Sequence, residues 1–254
     1  DGTLAACLWQ PGGPPPELAC AGAAGEGERV CCVGLSSSGF GGCCSDGHRC
    51  FCLGTSGGLV AEWRLALEGA LLAPSSEWQS HAMASSAGAT YSGVSALALD
   101  GSTVVTGGSD SAACIWELPC GREAPGLQEH DQGAEAVKGS PQAWGYTDSG
   151  AGMRRCMDGA HGGAVTAAAF AAEAGLAATA GEDGAVRLWG PSADVTLPTH
   201  HRDRQAKRCC AVHDVVLDAK HHRLASGSED GLVRMWDVAL ARPTRRLGRG
   251  PAAQ

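Results

Sequence analysis

No apolar run in this 254-residue sequence approaches the roughly 18 residues that a membrane-spanning helix needs, and no basic-then-apolar segment opens it. A soluble protein is the expectation. Between the short apolar segments no 3.6-residue period is sustained, which excludes a helical bundle. Basic residues are scarce over residues 1–153, with five Lys/Arg against sixteen Asp/Glu. That shortage argues against a general nucleic-acid binder. Also lacking is any convergent set of acids, bases or nucleophiles of the kind an enzyme needs. The formal match to a nucleophile elbow, Gly54-Thr55-Ser56-Gly57-Gly58, lies between two expected strands rather than at a strand-to-helix turn, and no Asp or His partner follows in order.

Hydrophobic content of 44% with 18% charged residues is that of a folded chain, long enough for one large all-β domain or two small ones. The net charge of −8 is uneven, because residues 154–254 carry fourteen basic against eleven acidic groups. Two chemically different surfaces follow. The thirteen cysteines are an odd number, and several are neighbours (Cys31 and Cys32, Cys43 and Cys44, Cys209 and Cys210), which suits a reducing intracellular compartment, nuclear or cytoplasmic, better than a disulfide framework. Cys31, Cys32, Cys43, Cys44, His48, Cys50 and Cys52 crowd one segment without the paired C-x₂₋₄-C knuckles of zinc sites. They read as small core residues, with no metal and no cofactor expected.

The informative pattern is a repeat. GLAATAGEDGAVRLWG (Gly175 to Gly190) places Asp183 six residues before Trp189; ASGSEDGLVRMWDV (Ala225 to Val238) does the same with Asp230 and Trp236, and VTGGSDSAACIWEL (Val105 to Leu118) with Asp110 and Trp116. A weaker copy, CLGTSGGLVAEWRL, has Gly57 at the Asp position before Trp63, and DGTLAACLW ends on Trp9 with two extra residues. Upstream of the last four lie apolar segments, VCCVGL, VSALAL, VTAAAF and VHDVVL, which read as strands separated by Gly, Ser and Asp turns.

These units resemble WD repeats, the blades of β-propellers, with Trp236-Asp237 and Trp116-Glu117 matching the dipeptide that names the family. The resemblance implies an all-β propeller of four-stranded antiparallel blades. It divides the chain into acidic blades over 1–118, the first cut short; a long insertion or loop over 119–160; two well-formed blades over 161–240; and a mobile basic tail over 241–254. With five Trp-bearing copies visible, the ring is expected to be completed by further residues or a partner strand.

In the family a hydrogen-bonded chain of Trp, Thr or Ser, His and Asp runs through each blade. Here it would comprise Trp189, Thr179, His161 and Asp183, complete in that blade alone. Trp236, Ser226 and Asp230 have Lys207 at the His position; Trp116, Thr106 and Asp110 have Thr90 there.

Partner contacts are expected from Trp144 and Tyr146 in the insertion and from the basic connector Arg202, Arg204, Lys207 and Arg208, which could also meet an RNA backbone. The family implies a non-enzymatic scaffold bound to other protein subunits, with no small-molecule substrate and no membrane. The order of the irregular copies is similar to that of the WD-repeat subunit of the nucleolar complex that matures the large ribosomal subunit with midasin, implying pre-60S maturation. An adaptor of a ciliary or microtubule complex and a substrate receptor of a ubiquitin ligase are the alternatives.

Overall fold

The computed structural model describes residues 3–5, 21–23, 29–35, 49–65, 71–81, 93–118, 152–190, 194–197, 202–203, 208–239 and 242–247. A two-stranded piece, β1 (Thr3–Ala5) and β2 (Ala21–Ala23), precedes four four-stranded sheets. Each sheet is an antiparallel meander in chain order and is named below by its tryptophan. The Trp63 blade is β3 (Val30–Leu35), β4 (Arg49–Thr55), β5 (Leu59–Leu65) and β6 (Leu71–Gln79). The Trp116 blade is β7 (Val94–Asp100), β8 (Thr103–Gly108), β9 (Ala113–Glu117) and β10 (Gly152–Met157). The Trp189 blade is β11 (Val165–Ala171), β12 (Leu176–Gly181), β13 (Val186–Trp189) and β14 (Asp194–Thr196). A short pair, β15 (Arg202–Asp203) and β16 (Arg208–Cys209), leads to the Trp236 blade: β17 (Val212–Asp218), β18 (Arg223–Ser228), β19 (Val233–Asp237) and β20 (Arg242–Leu247). Among the described residues no helix is long and apolar enough to cross a membrane.

Two assignments made from the sequence change here. Residues 152–157, placed in the insertion 119–160, form the outer strand of the Trp116 blade, and residues 242–247, placed in a mobile tail, form that of the Trp236 blade. Outer strands leave only a weak mark in sequence because one of their edges has no partner and their burial is slight, as in β10, where only Met157 is buried. Pro243 is tolerated on such an edge, where one missing N–H need not interrupt the ladder.

First strands of successive blades pack side by side, β3 on β7, β7 on β11 and β11 on β17, so blade order follows chain order. The core lies between the blades. Trp116 and Trp78, with rings 5.8 Å apart, fill the space between the first two sheets; Trp189 packs with Val105 and Ala113 of the blade before it, and Trp236 with Ala178 and Leu188.

The blades are also stitched by hydrogen bonds. Each first strand carries a bulge at its second residue: Cys31, Ser95, Thr166 and His213. The Ser95 hydroxyl lies between Gly107 O of its own blade and Val165 O of the next, and the Thr166 hydroxyl between Ala180 O and Val212 O. In the Trp63 blade the neighbouring Cys32 takes that role, donating to Val94 O at 3.5 Å. In the Trp116 and Trp189 blades the bulge thus turns a hydroxyl toward the adjacent sheet.

Candidate functional site

The hairpin joining the second and third strands sets the geometry. In the Trp189 blade Gly184 N donates to Gly181 O at 3.1 Å and Gly184 has φ 74°, a type I turn closed by a left-handed residue. Asp183 sits just before that residue and accepts Ala185 N–H at 3.0 Å and Gly162 N–H at 2.9 Å. The other turns repeat this with Gly231 (φ 72°), Gly58 (φ 85°) and, without glycine, Ser111 (φ 66°).

Trp189 Nε1 donates to Thr179 Oγ1 at 2.8 Å, Thr179 Oγ1 is 2.9 Å from His161 Nε2, and His161 Nδ1 is 3.0 Å from Asp183 Oδ1. An indole N–H only donates, so the hydroxyl passes its own proton to Nε2 and the imidazole donates from Nδ1 to the carboxylate. Arg187 closes over the pair, its Nη1 donating to Asp183 Oδ2 at 2.8 Å. Burial would raise the Asp183 carboxyl; the bonds from His161, Gly162 N–H, Arg187 and Ala185 N–H overcome that and hold it well below the usual carboxylate range.

A second complete chain stands in the Trp116 blade, where the sequence placed Thr90 at the imidazole position. His81 occupies it instead: its Nδ1 is 3.1 Å from both Asp110 oxygens, its Nε2 is 3.1 Å from Thr106 Oγ1, and Trp116 Nε1 donates to Thr106 Oγ1 at 3.1 Å. Ser80 adds a 2.6 Å bond to the same hydroxyl. His81 precedes Thr106 by 25 residues where His161 precedes Thr179 by 18, so a fixed offset misses it. Thr90 itself lies outside the described residues. The Asp110 carboxyl, which burial would raise, is held low chiefly by His81 and by Ala112 N–H.

The other two blades depart from this chain in different ways. In the Trp236 blade Trp236 Nε1 donates to Ser226 Oγ at 2.9 Å, while Asp230 accepts Leu232 N–H at 3.0 Å and pairs with buried Arg234 at 2.7 Å. Lys207, at the imidazole position, lies outside the described residues. In the Trp63 blade Leu53 stands where the other blades have Thr or Ser, ten residues before the Trp, and the buried Trp63 Nε1 has no hydrogen-bond partner. Stacking on Phe51 at 6.4 Å holds that ring.

Two glycines that sequence reasoning passed over make the chains fit. A Cβ on Gly181 would lie 2.6 Å from His161 Nδ1, and one on Gly108 would lie 2.3 Å from Asp110 Oδ1 and 2.4 Å from His81 Nδ1. Each precedes the turn Asp by two residues, and that recurrence was the available signal. Ser228 holds the place in the Trp236 blade, its hydroxyl reaching Cys210 O at 3.5 Å.

Residues 154–190 and 196–237 match the family model described as WD domain, G-beta repeat. These two stretches are similar to WD repeats. The first straddles two sheets, taking most of β10 from the Trp116 blade and β11 to β13 from the next, so a WD repeat is offset from a blade by one outer strand. In fold the chain resembles a chain of the crystallised mitotic checkpoint complex, with TM-score 0.58 and 16% identity over 91% of this chain and 55% of that one. This chain therefore spans about half the length of that one. A looser likeness, TM-score 0.49 at 20% identity over 79% of this chain and 46% of the other, is to the computationally designed Ika8 protein. No curated protein matches in sequence.

Of the partner contacts expected from sequence, Arg202 and Arg208 fall on β15 and β16, which pair with each other; Arg204, Lys207, Trp144 and Tyr146 lie outside the described residues. Cys50 and Cys52 are buried, and no cluster of three metal-ligating side chains occurs among the described residues. Cys43, Cys44 and His48 lie outside them. The Gly54–Gly58 motif is the β4–β5 hairpin, and Ser56 Oγ accepts Arg29 N–H at 3.0 Å there.

Proposed function

We propose that this chain is a non-enzymatic scaffold that holds other protein subunits in a multiprotein complex. The observation that carries this reading is the saturation of its most reactive-looking side chains. Both ring nitrogens of His81 and of His161 are engaged inside a blade, and the carboxylates they meet are bound to turn N–H groups as well. Groups so paired fix strands and cannot move a proton to a bound substrate without breaking the blade. WD-repeat domains in general serve as platforms for protein contacts, which supports the same reading.

One surface suits docking. In the Trp189 blade the cross-strand row Ala169, Ala178, Leu188 is covered by the following blade, whereas the matching row of the Trp236 blade is Val216, Ala225, Met235. Val216 is 61% exposed, and the row lines a groove of about 550 Å³ bordered by Asp218, His221 and Arg223. An apolar floor with a charged border fits a partner protein. Trp144 and Tyr146, with Arg202, Arg204, Lys207 and Arg208, are our further proposed contacts, and the basic connector extends the proposal to indirect RNA contact.

Pre-60S ribosome maturation is the assembly we propose to test first, on the order of the irregular repeats; a ciliary or microtubule adaptor and a ubiquitin-ligase receptor are the rivals. Affinity purification from cells followed by mass spectrometry is expected to recover maturation subunits, midasin and large-subunit precursors. Axonemal proteins or a cullin adaptor in their place would reject that assembly and leave the scaffold standing. Turnover of a small substrate by the purified protein, abolished by one point substitution, would overturn the scaffold reading itself.

A further inference from the structure

Position four after the turn Asp carries Arg in two blades, Arg187 and Arg234, and each pairs with the Asp before it. In the Trp116 blade this position is Cys114. On the facing outer strand its register partner is Cys156, and the two sulfurs lie 2.6 Å apart. Cys114 is buried at 1% exposure; Cys156 is partly exposed, with Asp158 Oδ1 3.5 Å from its sulfur. We propose that Cys114 and Cys156 form a redox pair that closes into a disulfide and locks β10 onto the Trp116 blade.

Sulfurs on directly paired residues of neighbouring antiparallel strands need little backbone movement to reach bonding distance. The geometry also fixes the order of events with a peroxide as oxidant. Cys156, the accessible sulfur, attacks the peroxide: an S–O bond forms, the O–O bond breaks, and Cys156 becomes a sulfenic acid as the first water leaves. Cys114 then attacks the Cys156 sulfur; the S–S bond forms, the S–O bond breaks, and the second water departs with the Cys114 proton. Two thiols are oxidised by two electrons and one peroxide is reduced to two waters. Cys114 is unsuited to the first step because it is buried at 1% exposure, out of reach of a dissolved peroxide, while Cys156 is open to it.

Closure acts beyond the pair. Neighbouring Arg155 on β10 bonds Asp194 of the next blade at 2.9 Å and lies over the Trp189 ring at 6.0 Å. A cross-link at Cys156 therefore fastens a strand that itself clasps the following blade. It also converts residues 115–155 into a covalently closed loop.

The full chain is to be treated with one equivalent of hydrogen peroxide, alkylated, digested without reduction and analysed by mass spectrometry. The expected product is a peptide joining Cys114 to Cys156, lighter by two hydrogens than its parts and split by dithiothreitol. Oxidation should raise the melting temperature of the wild type by about 5 °C and leave Cys156→Ser unchanged. Recovery of Cys114 and Cys156 in alkylated form while other thiols oxidise, or linkage of Cys156 to a different cysteine, would overturn the proposal.

Discussion

At the residue scale, two tryptophans of nearly equal burial stand in opposite chemical states. Trp189, 8% exposed, gives its N–H to Thr179; Trp63, 9% exposed, has Leu53 where a hydroxyl would be and leaves its N–H unpaired. Replacing an indole by a phenyl ring costs a hydrogen bond in the first case and relieves an unsatisfied donor in the second. Trp189→Phe is expected to destabilise by about 1–3 kcal/mol and Trp63→Phe by at least about 1 kcal/mol less, read from urea unfolding midpoints. Gly181→Ala should weaken the blade as well, because the added methyl meets the imidazole that the Asp needs. A loss of about 2 kcal/mol is expected, and His161→Ala should largely remove the clash component in a double-mutant cycle.

The carboxylates give the pH dependence its sign. Asp183 and Asp110 are held below the ordinary range in the folded chain, so the unfolded chain binds those protons more tightly. Their stabilisation is full above the unfolded Asp value of about 3.9 and is lost as pH falls through it toward the depressed folded values. Melting temperature should therefore drop as pH is lowered from about 5 to 3, and Asp183→Asn should start lower and fall less steeply.

At the scale of the element, the second-to-third-strand hairpin is used in all four described blades with one unfavourable residue. Ser111 adopts φ 66° where Gly184, Gly231 and Gly58 stand elsewhere. A left-handed conformation costs a residue with a Cβ about 1 kcal/mol, so Ser111→Gly is expected to stabilise the protein by up to that amount and raise its melting temperature by a few degrees. The first strands and these hairpins were legible in sequence because their apolar runs and their turns of Gly, Ser and Asp are local signals. Outer strands were not, since β10 and β20 are defined by pairing to β9 and β19 rather than by their own composition. His81 escaped for a similar reason: an imidazole can reach the same place in space from 25 residues away as from 18.

On the scale of the whole molecule, stability is held in the seams between sheets, where Trp78, Trp116, Trp189 and Trp236 pack and where Ser95 and Thr166 bridge neighbouring blades. At the fourth blade the bulge residue is His213, with its side chain 61% exposed, beside the exposed Val216. Val216→Asp is expected to leave the melting temperature within about 1 °C and to deplete partner proteins in a pull-down, because an exposed site adds little to folding and a buried carboxylate is costly at an interface. Retained partners with the variant would remove this flank from the docking surface. The opposed charge of the two halves of the chain leads to the expectation that binding to different partners weakens to different extents as salt is raised.

The sequence by itself determined the class of element, the repeat and the turn chemistry, because short apolar runs, a six-residue Asp-to-Trp interval and turns of Gly, Ser and Asp act over a few residues of backbone. Only the tertiary structure decided which imidazole completes each polar chain, which strands close each sheet, and that Cys114 meets Cys156. Those are choices among groups far apart in the chain, made when packing and backbone pairing bring them together.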